Sequence, residues 1–218
     1  MKKNLIFIAI ILITAASCVK DRIPSTASNG GGGVLPTGDT LMYYWSFNNQ
    51  DSSVHTPDFA VNGNNAFFVY YASYIDYTNG SDTNCIGGIA DTGTCLRVRN
   101  PSDSLIFAMP TTGYDSIVMA YAEEASSTTS GCTLNTITYT TDGVNYISTA
   151  LTAGGGSNQT TIGTTFQLYR LNFSSDPNVN NNPKFKVKIA FSNNNVWLPT
   201  STSGNDRFDN VTLSGVRQ

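Results

Sequence analysis

The most regular feature of the chain is an alternation of apolar and polar residues with a period of two. The alternation is strict in residues 95–99, 134–140 and 184–191. Such a period places every second side chain on one face of a β-strand. No stretch longer than ten residues has the apolar spacing of an amphipathic helix. The pattern therefore predicts an all-β protein.

Further runs rich in β-formers are separated by residues that favour turns. The runs cover residues 41–47, 66–77, 104–109, 116–121, 167–173 and 208–213, and turn signals include Asn79-Gly80 and Asp142-Gly143. Nine or ten short strands joined by polar loops are typical of a β-sandwich or a barrel. No second break in composition and no internal repeat is present, which predicts one antiparallel domain over residues 40–218.

The first residues have the order of an export signal. Lys2 and Lys3 precede an apolar run over residues 5–16, which is too short to span a bilayer as a helix. Small residues then lead to Cys18, and Ala15-Ala16-Ser17-Cys18 resembles the lipobox of bacterial lipoproteins. This resemblance implies a signal peptide over residues 1–17 and lipidation of Cys18. The alternative is an ordinary signal peptide in which Cys18 is incidental.

Residues 18–39 separate this signal from the predicted domain. They contain Gly30-Gly31-Gly32-Gly33 and scattered prolines, and they have no apolar period, so we expect a flexible linker. A lipid on Cys18 would anchor the protein in the outer membrane without spanning it. Exposure at the cell surface is one expectation, and a periplasm-facing position is the alternative.

Charge and residue counts restrict the chemistry. Removing Lys2 and Lys3 with the signal leaves ten basic and 15 acidic residues, a balance that disfavours nucleic-acid binding. The chain has one histidine, His55, which lies in a predicted loop with no nucleophile motif near it. Glu123 and Glu124 are adjacent, so on a strand they would point to opposite faces and could not act together. We therefore expect no enzymatic activity, and a hydrolase is the less favoured alternative.

Three cysteines remain after Cys18. Cys85 and Cys95 flank a glycine-rich loop, and an exported protein meets an oxidising environment, so a Cys85–Cys95 disulfide is predicted. Cys132 would then be a small buried residue. The alternative is that the thiols stay free, because connectivity does not follow from sequence.

Several segments, taken in order, resemble the jelly-roll accessory domains of secreted Bacteroidota proteins, which are similar in layout to galactose-binding-like domains. They are residues 44–48, 110–118, the hairpin Thr141-Asp142-Gly143 with its flanks, and the closing Arg207-Phe208-Asp209-Asn210-Val211. The resemblance covers most of residues 40–216 and implies a jelly-roll β-sandwich. It implies fold more strongly than activity.

The closing strand also suggests a metal. Asp206 and Asp209 offer oxygen ligands of the kind that Ca²⁺ prefers. In similar jelly rolls the last strand gives a carboxylate to a structural calcium ion, with partners from the first strand. The resemblance therefore implies a calcium site formed by Asp206, Asp209, Asn48 and Asp51. The alternative is that Asp209 only binds backbone amides in a turn.

Aromatic residues are the candidates for ligand contact. Tyr70, Tyr71 and Tyr74 lie in one predicted strand, where alternation sends about half of them outward, and Trp197 lies in a polar loop. Exposed aromatic rings beside amides and carboxylates are typical of surfaces that bind polysaccharide. We therefore expect a non-catalytic glycan-binding protein. The alternatives are ordinary packing of these rings, and a structural or adhesive protein that binds protein partners.

Overall fold

The computed structural model describes residues 38–61, 65–86, 93–148, 152–153, 158–192 and 204–218. The predicted signal peptide, Cys18 and Trp197 lie outside these residues. None of the helical structure that the model describes is long and apolar enough to cross a membrane.

The described chain is all-β and antiparallel, as predicted. Its eleven strands are β1 (Thr40–Trp45), β2 (Phe59–Ala60), β3 (Phe67–Asn79), β4 (Thr94–Ala108), β5 (Tyr114–Ala125), β6 (Leu134–Thr140), β7 (Thr152–Ala153), β8 (Gln159–Thr161), β9 (Gln167–Asn172), β10 (Lys186–Ser192) and β11 (Asn205–Arg217). A short 3-10 helix, Pro177–Val179, precedes β10. β4 joins two runs that the sequence analysis separates at Asn100-Pro101, and its pairing with β3 is irregular near that point.

The pairings place the strands in two groups. One has the order β2-β1-β11-β5-β9-β7 and the other the order β3-β4-β10-β6-β8. The groups join where the first residues of β11 pair with β4 through Asn205–Arg99 to Phe208–Leu96. This arrangement is consistent with a β-sandwich whose layers share a corner.

The core lies between the two groups. Trp45 of β1 contacts Phe107 of β4 with ring centroids 5.3 Å apart, and Phe191 of β10 contacts Phe208 of β11 at 5.9 Å. All four side chains are buried. Burying rings of this size removes a large apolar area from water, which is the main term that holds two sheets together.

Candidate functional site

Two tyrosines project from the outer face of β3. Tyr71 is 58% exposed and Tyr74 is 51% exposed. Ala72 and Ile75 both pack on the core although they are three residues apart, which a regular period of two does not allow. Register shifts on either side of Ala72 supply the extra residue. As a result, Tyr71 and Tyr74 lie on the same outward side, roughly 10 Å apart along the strand.

A shallow groove of about 320 Å³ lies beside these tyrosines. Its lining combines one aromatic ring with small and polar side chains: Tyr71, Ala72, Ser73, Pro101, Ser102 and Asp103. Ser73 Oγ donates to the backbone oxygens of Arg99 and Asn100 at 3.1 and 2.9 Å, which ties the irregular part of β3 to β4. These hydrogen bonds therefore hold the backbone that lines the groove in place.

Charged residues support the Tyr74 side of the groove. The Arg99 guanidinium lies 5.5 Å from the centre of the Tyr74 ring, and it also binds Asp76 at 3.0 Å. Arg97 binds the same carboxylate at 2.6 Å. Partial burial alone would raise the pKa of Asp76, but the hydrogen bonds from the two arginines outweigh it and lower that pKa below its usual value. The Tyr74 ring is thus held over a cation that is itself paired.

Tyr70, the third predicted aromatic, belongs to the other face of β3. It is half-buried, and its ring meets the His55 ring edge-on with centroids 5.7 Å apart. His55 in turn packs on Phe68 at 4.7 Å. The expectation that Tyr70 joins the exposed group is therefore wrong, because alternation from the buried Phe68 turns it inward.

The four residues of the predicted calcium site are not brought together. Asp206 and Asp209 lie three apart in a regular part of β11, so they point to opposite faces of the strand. Asp209 Oδ2 accepts a hydrogen bond from the Ser81 amide at 2.7 Å, while Asp206 Oδ1 accepts one from the Cys132 amide at 3.0 Å.

The two partners that the first strand was expected to supply are engaged locally. Asn48 Oδ1 accepts from the Thr94 amide at 2.7 Å, and the exposed Asp51 accepts from the amide and hydroxyl of Ser53. These residues therefore do not fit one calcium ion. Within the described residues, no group of three or more His, Cys, Asp or Glu side chains could hold a metal.

The cysteines correct a second expectation. Cys85, Cys95 and Cys132 are all buried and none of them is bridged to another, so the predicted Cys85–Cys95 disulfide is not formed in this structure. Their sulfurs point to different partners: Cys85 Sγ to the Ser81 oxygen at 3.7 Å, and Cys95 Sγ to the Asn79 oxygen at 3.2 Å. Burial is the main cause that raises the pKa of Cys95 to about 12, which leaves it a neutral thiol.

A buried acidic cluster was missed by the sequence analysis. Glu123 and Asp206 are both fully buried, and Asn135 donates to Glu123 Oε1 and Oε2 at 2.7 and 2.9 Å. Glu124 instead pairs with Arg207 on the opposite side of β5. The prediction that the two adjacent glutamates face apart is confirmed. The sequence carries no signal for this cluster, because the two acids come together only through the pairing of β5 with β11.

Comparisons with known proteins give weak likenesses of shape. No family model and no curated protein matches the chain. One similar solved structure is that of a candidate sugar-binding protein from Bacteroides thetaiotaomicron VPI-5482, with a TM-score of 0.36, 10% identity, and cover of 68% of this chain and 87% of that one. A second is a structure of domains CD, residues 230–489, of another protein, with a TM-score of 0.30 and 12% identity. The match covers 70% of this chain and 63% of the chain in that structure.

Proposed function

We propose that this protein is a lipid-anchored envelope protein whose β-sandwich binds glycan without catalysis, at the groove beside Tyr71 and Tyr74. The observation that carries the proposal is the exposure of two tyrosine rings on the same side of β3, at 58% and 51%. Exposed aromatic rings grouped on one surface are typical of binding sites, whereas single exposed apolar residues are common on any protein.

The chemistry of the groove suits a sugar ring. The face of a tyrosine ring packs against the C–H surface of a sugar, and nearby polar groups bond to its hydroxyls. Tyr71 supplies the ring, and the exposed Ser73 and Asp103 supply hydroxyl and carboxylate oxygens. The groove volume of about 320 Å³ is at the small end of ligand sites. A site this shallow supports weak binding of each sugar unit, with Tyr74 placed to meet a neighbouring unit.

The test is a broad glycan array followed by calorimetry on the best ligand, in the presence of calcium. Tyr71→Ala and Tyr74→Ala should each weaken binding by about tenfold, because each removes a stacking contact worth about 1.4 kcal/mol. Phe67→Ala is the matched control, since Phe67 is an exposed aromatic residue at the start of the same strand. A Trp197→Ala variant tests the aromatic residue predicted from the loop. A blank array, or binding that survives the Tyr71→Ala/Tyr74→Ala double variant, would overturn the proposal.

The lipid anchor rests on the pattern over residues 1–18 and has its own test. Cells producing the protein should incorporate labelled palmitate into it, and Cys18→Ser should abolish the label and release the protein from the membrane fraction. Cys132→Ser is a control for labelling at other thiols, because Cys132 is buried in the core. Protease treatment of intact cells then separates surface exposure from a periplasm-facing position.

A second candidate function is adhesion to a protein partner, and one observation favours it. Within the described residues, the 13-residue β3 pairs with a strand, β4, along one side, while on its other side the Phe68 amide donates to the His55 oxygen. A strand edge without a neighbouring strand can accept an added strand from another chain. If the array is blank, we expect this edge to be the contact. Because the Phe68 amide points to this edge, alternation points the Tyr70 amide there too, so Tyr70→Pro should then abolish capture of the partner.

A further inference from the structure

The buried acids of β5 and β11 occupy one side of the sandwich interior. Glu123 pairs in register with Phe208, and Asp206 pairs with Ala125. Residues two apart on a strand share a face, so Glu123 and Asp206 are diagonal neighbours on the inward face. Both side chains are completely shielded from solvent.

Unsatisfied polar atoms concentrate around this pair. Four buried side-chain oxygen or nitrogen atoms of the described residues lack a hydrogen-bond partner, and three of them are Asp206 Oδ2, Tyr121 Oη and Thr160 Oγ1. Tyr121 precedes Glu123 by two residues on the same face of β5. Thr160 is in register with Asn135, whose amide binds Glu123. Tyr121 Oη and Thr160 Oγ1 lie close enough to interact with each other, although not in good hydrogen-bond geometry, so Asp206 Oδ2 is the atom left without any partner. A buried polar atom without a partner costs about 1–3 kcal/mol, which a bound ligand atom could offset.

The cluster also lacks a compensating positive charge. Among the described side chains, no lysine, arginine or histidine bonds to either carboxylate, and the adjacent Arg207 turns outward to Glu124. Burial is the main cause that raises the pKa of both Glu123 and Asp206 well above the usual range, and for Glu123 the nearby Asp206 charge adds to it. Two acids in this position need either protons or a bound cation.

The donor atoms select the type of cation. The available groups are two carboxylates and two hydroxyl oxygens, which suit a hard ion such as Ca²⁺ rather than a thiolate-seeking metal. The one sulfur nearby belongs to Cys132, and it already points to the Leu134 carbonyl at 3.1 Å. The geometry of these side chains thus offers oxygen ligands only.

An opening leads toward the cluster from the edge of the sandwich. A cleft of about 510 Å³ lies between β8 and β9 and is lined by Gln159, Thr160, Thr161, Leu168, Tyr169 and Arg170. Tyr169 stacks on Tyr121 with ring centroids 5.6 Å apart, so the wall of the cleft backs directly onto the cluster. Thr160 of the cluster is one of the residues that line the cleft, so solvent comes close to the cluster on this side.

We propose that Glu123 and Asp206 bind a divalent cation of the Ca²⁺ type, with Tyr121 and Thr160 as neutral oxygen ligands and water supplied from the β8–β9 cleft. This site shares Asp206 with the calcium site that the sequence suggested but not Asp209, which lies on the opposite face of β11. It joins two strands of one layer, β5 and β11, to β8 of the other, so the ion would stabilise the sandwich.

The test uses the purified full chain, with Ca²⁺ alone as the probe. After treatment with chelator, millimolar Ca²⁺ should raise the Tm by at least about 3 °C. The rise should vanish in Glu123→Gln and Asp206→Asn and should persist in the matched control Asp209→Asn. Terbium luminescence gives a readout independent of stability, since Tyr121 and Tyr169 lie close enough to sensitise a bound Tb³⁺ ion. That emission should be displaced by Ca²⁺.

Each outcome decides the proposal. A Ca²⁺-dependent rise that is lost in Asp206→Asn but kept in Asp209→Asn supports it, as does Ca²⁺-displaceable terbium emission that disappears in Glu123→Gln. A Tm that is the same in Ca²⁺ and chelator, with no displaceable emission, means that the acids hold protons instead and overturns it. A rise that is lost only in Asp209→Asn places the ion elsewhere and also overturns it. If a variant does not fold, the emission of the wild-type protein still decides.

Discussion

The Tyr71–Tyr74 groove and the Glu123–Asp206 cluster use similar residue types under opposite conditions. In the groove, aromatic rings lie in water and the nearby Asp76 is held by two arginines. In the cluster, two acids are buried among tyrosines without such partners. The pKa of Asp76 is lowered, whereas the pKa values of Glu123 and Asp206 are raised. The comparison teaches that burial and pairing, more than residue type, decide which groups carry a charge.

The two regions also affect the stability of the folded protein in different ways. Exposed rings forgo favourable burial, which ligand contact can recover. Buried acids have lost their hydration, which only hydrogen bonds, protons or an ion can replace. Changes in the cluster should therefore act first on stability, and changes in the groove first on binding.

The largest effect is expected at Asn135, the residue that satisfies Glu123. Asn135→Leu removes both hydrogen bonds to that carboxylate and leaves a buried acid unpaired, which should lower the free energy of unfolding by about 2–4 kcal/mol. Urea unfolding followed by fluorescence measures it. Asn145→Leu is the matched control, because Asn145 is exposed and bonds to the exposed Asp142. Equal losses in the two variants would show that the buried network contributes little.

The next effect is a pH dependence carried by Glu123 and measured in chelator. Its folded-state pKa is raised by burial, so above the ordinary pKa near 4.5 the folded protein keeps a proton that the unfolded chain has lost. The stability contributed by this group is therefore complete at acid pH and falls as pH rises toward the folded pKa. The slope reaches about 1.4 kcal/mol per pH unit for one proton.

Glu123→Gln should reduce the slope between about pH 5 and 7 by the share of this one group, since the amide does not titrate, whereas the slope from Asp206, whose pKa is also raised, should remain. Asp142→Asn is the control with the opposite sign. Backbone hydrogen bonds from Asn145 and Val144 lower the pKa of Asp142, so its contribution is present above its ordinary pKa and is lost as pH falls below it. If Glu123→Gln leaves the pH profile unchanged, another group is responsible for the slope.

The period of two predicted the all-β fold and most of the strands. It did not predict which residues of each strand face the core. Alternation predicts that half of Tyr70, Tyr71 and Tyr74 face outward, yet the register shifts at Ala72 decide that Tyr71 and Tyr74 do so together. A bulge adds one residue without a distinctive sequence signal. Which tyrosines form a surface therefore depended on the partner strand.

For the acidic residues, one result could have been predicted from the sequence and another could not. The opposite orientations of Asp206 and Asp209 follow from their spacing of three on a strand, so the rule applied to Glu123 and Glu124 also excludes a shared site for this pair. The meeting of Glu123 with Asp206 could not be predicted, because it needs the pairing of β5 with β11, two strands about 80 residues apart in sequence. That Cys85 and Cys95 are not bridged could not be predicted either, since the orientation of the two sulfurs depends on packing.

The smallest effect is expected at Arg99, whose guanidinium lies over the Tyr74 ring beside the groove. Arg99→Lys keeps the positive charge but loses the planar group over the Tyr74 ring, a contact worth about 0.5–1 kcal/mol at an exposed site. Glycan affinity should fall by about two- to fivefold, measured by calorimetry, because the Tyr74 ring is less firmly held. Arg97→Lys is the matched control, since Arg97 binds the same Asp76 carboxylate while it is the Arg99 guanidinium that lies over the ring. A larger loss in Arg97→Lys would assign the effect to Asp76 and its ion pairs rather than to the orientation of Tyr74.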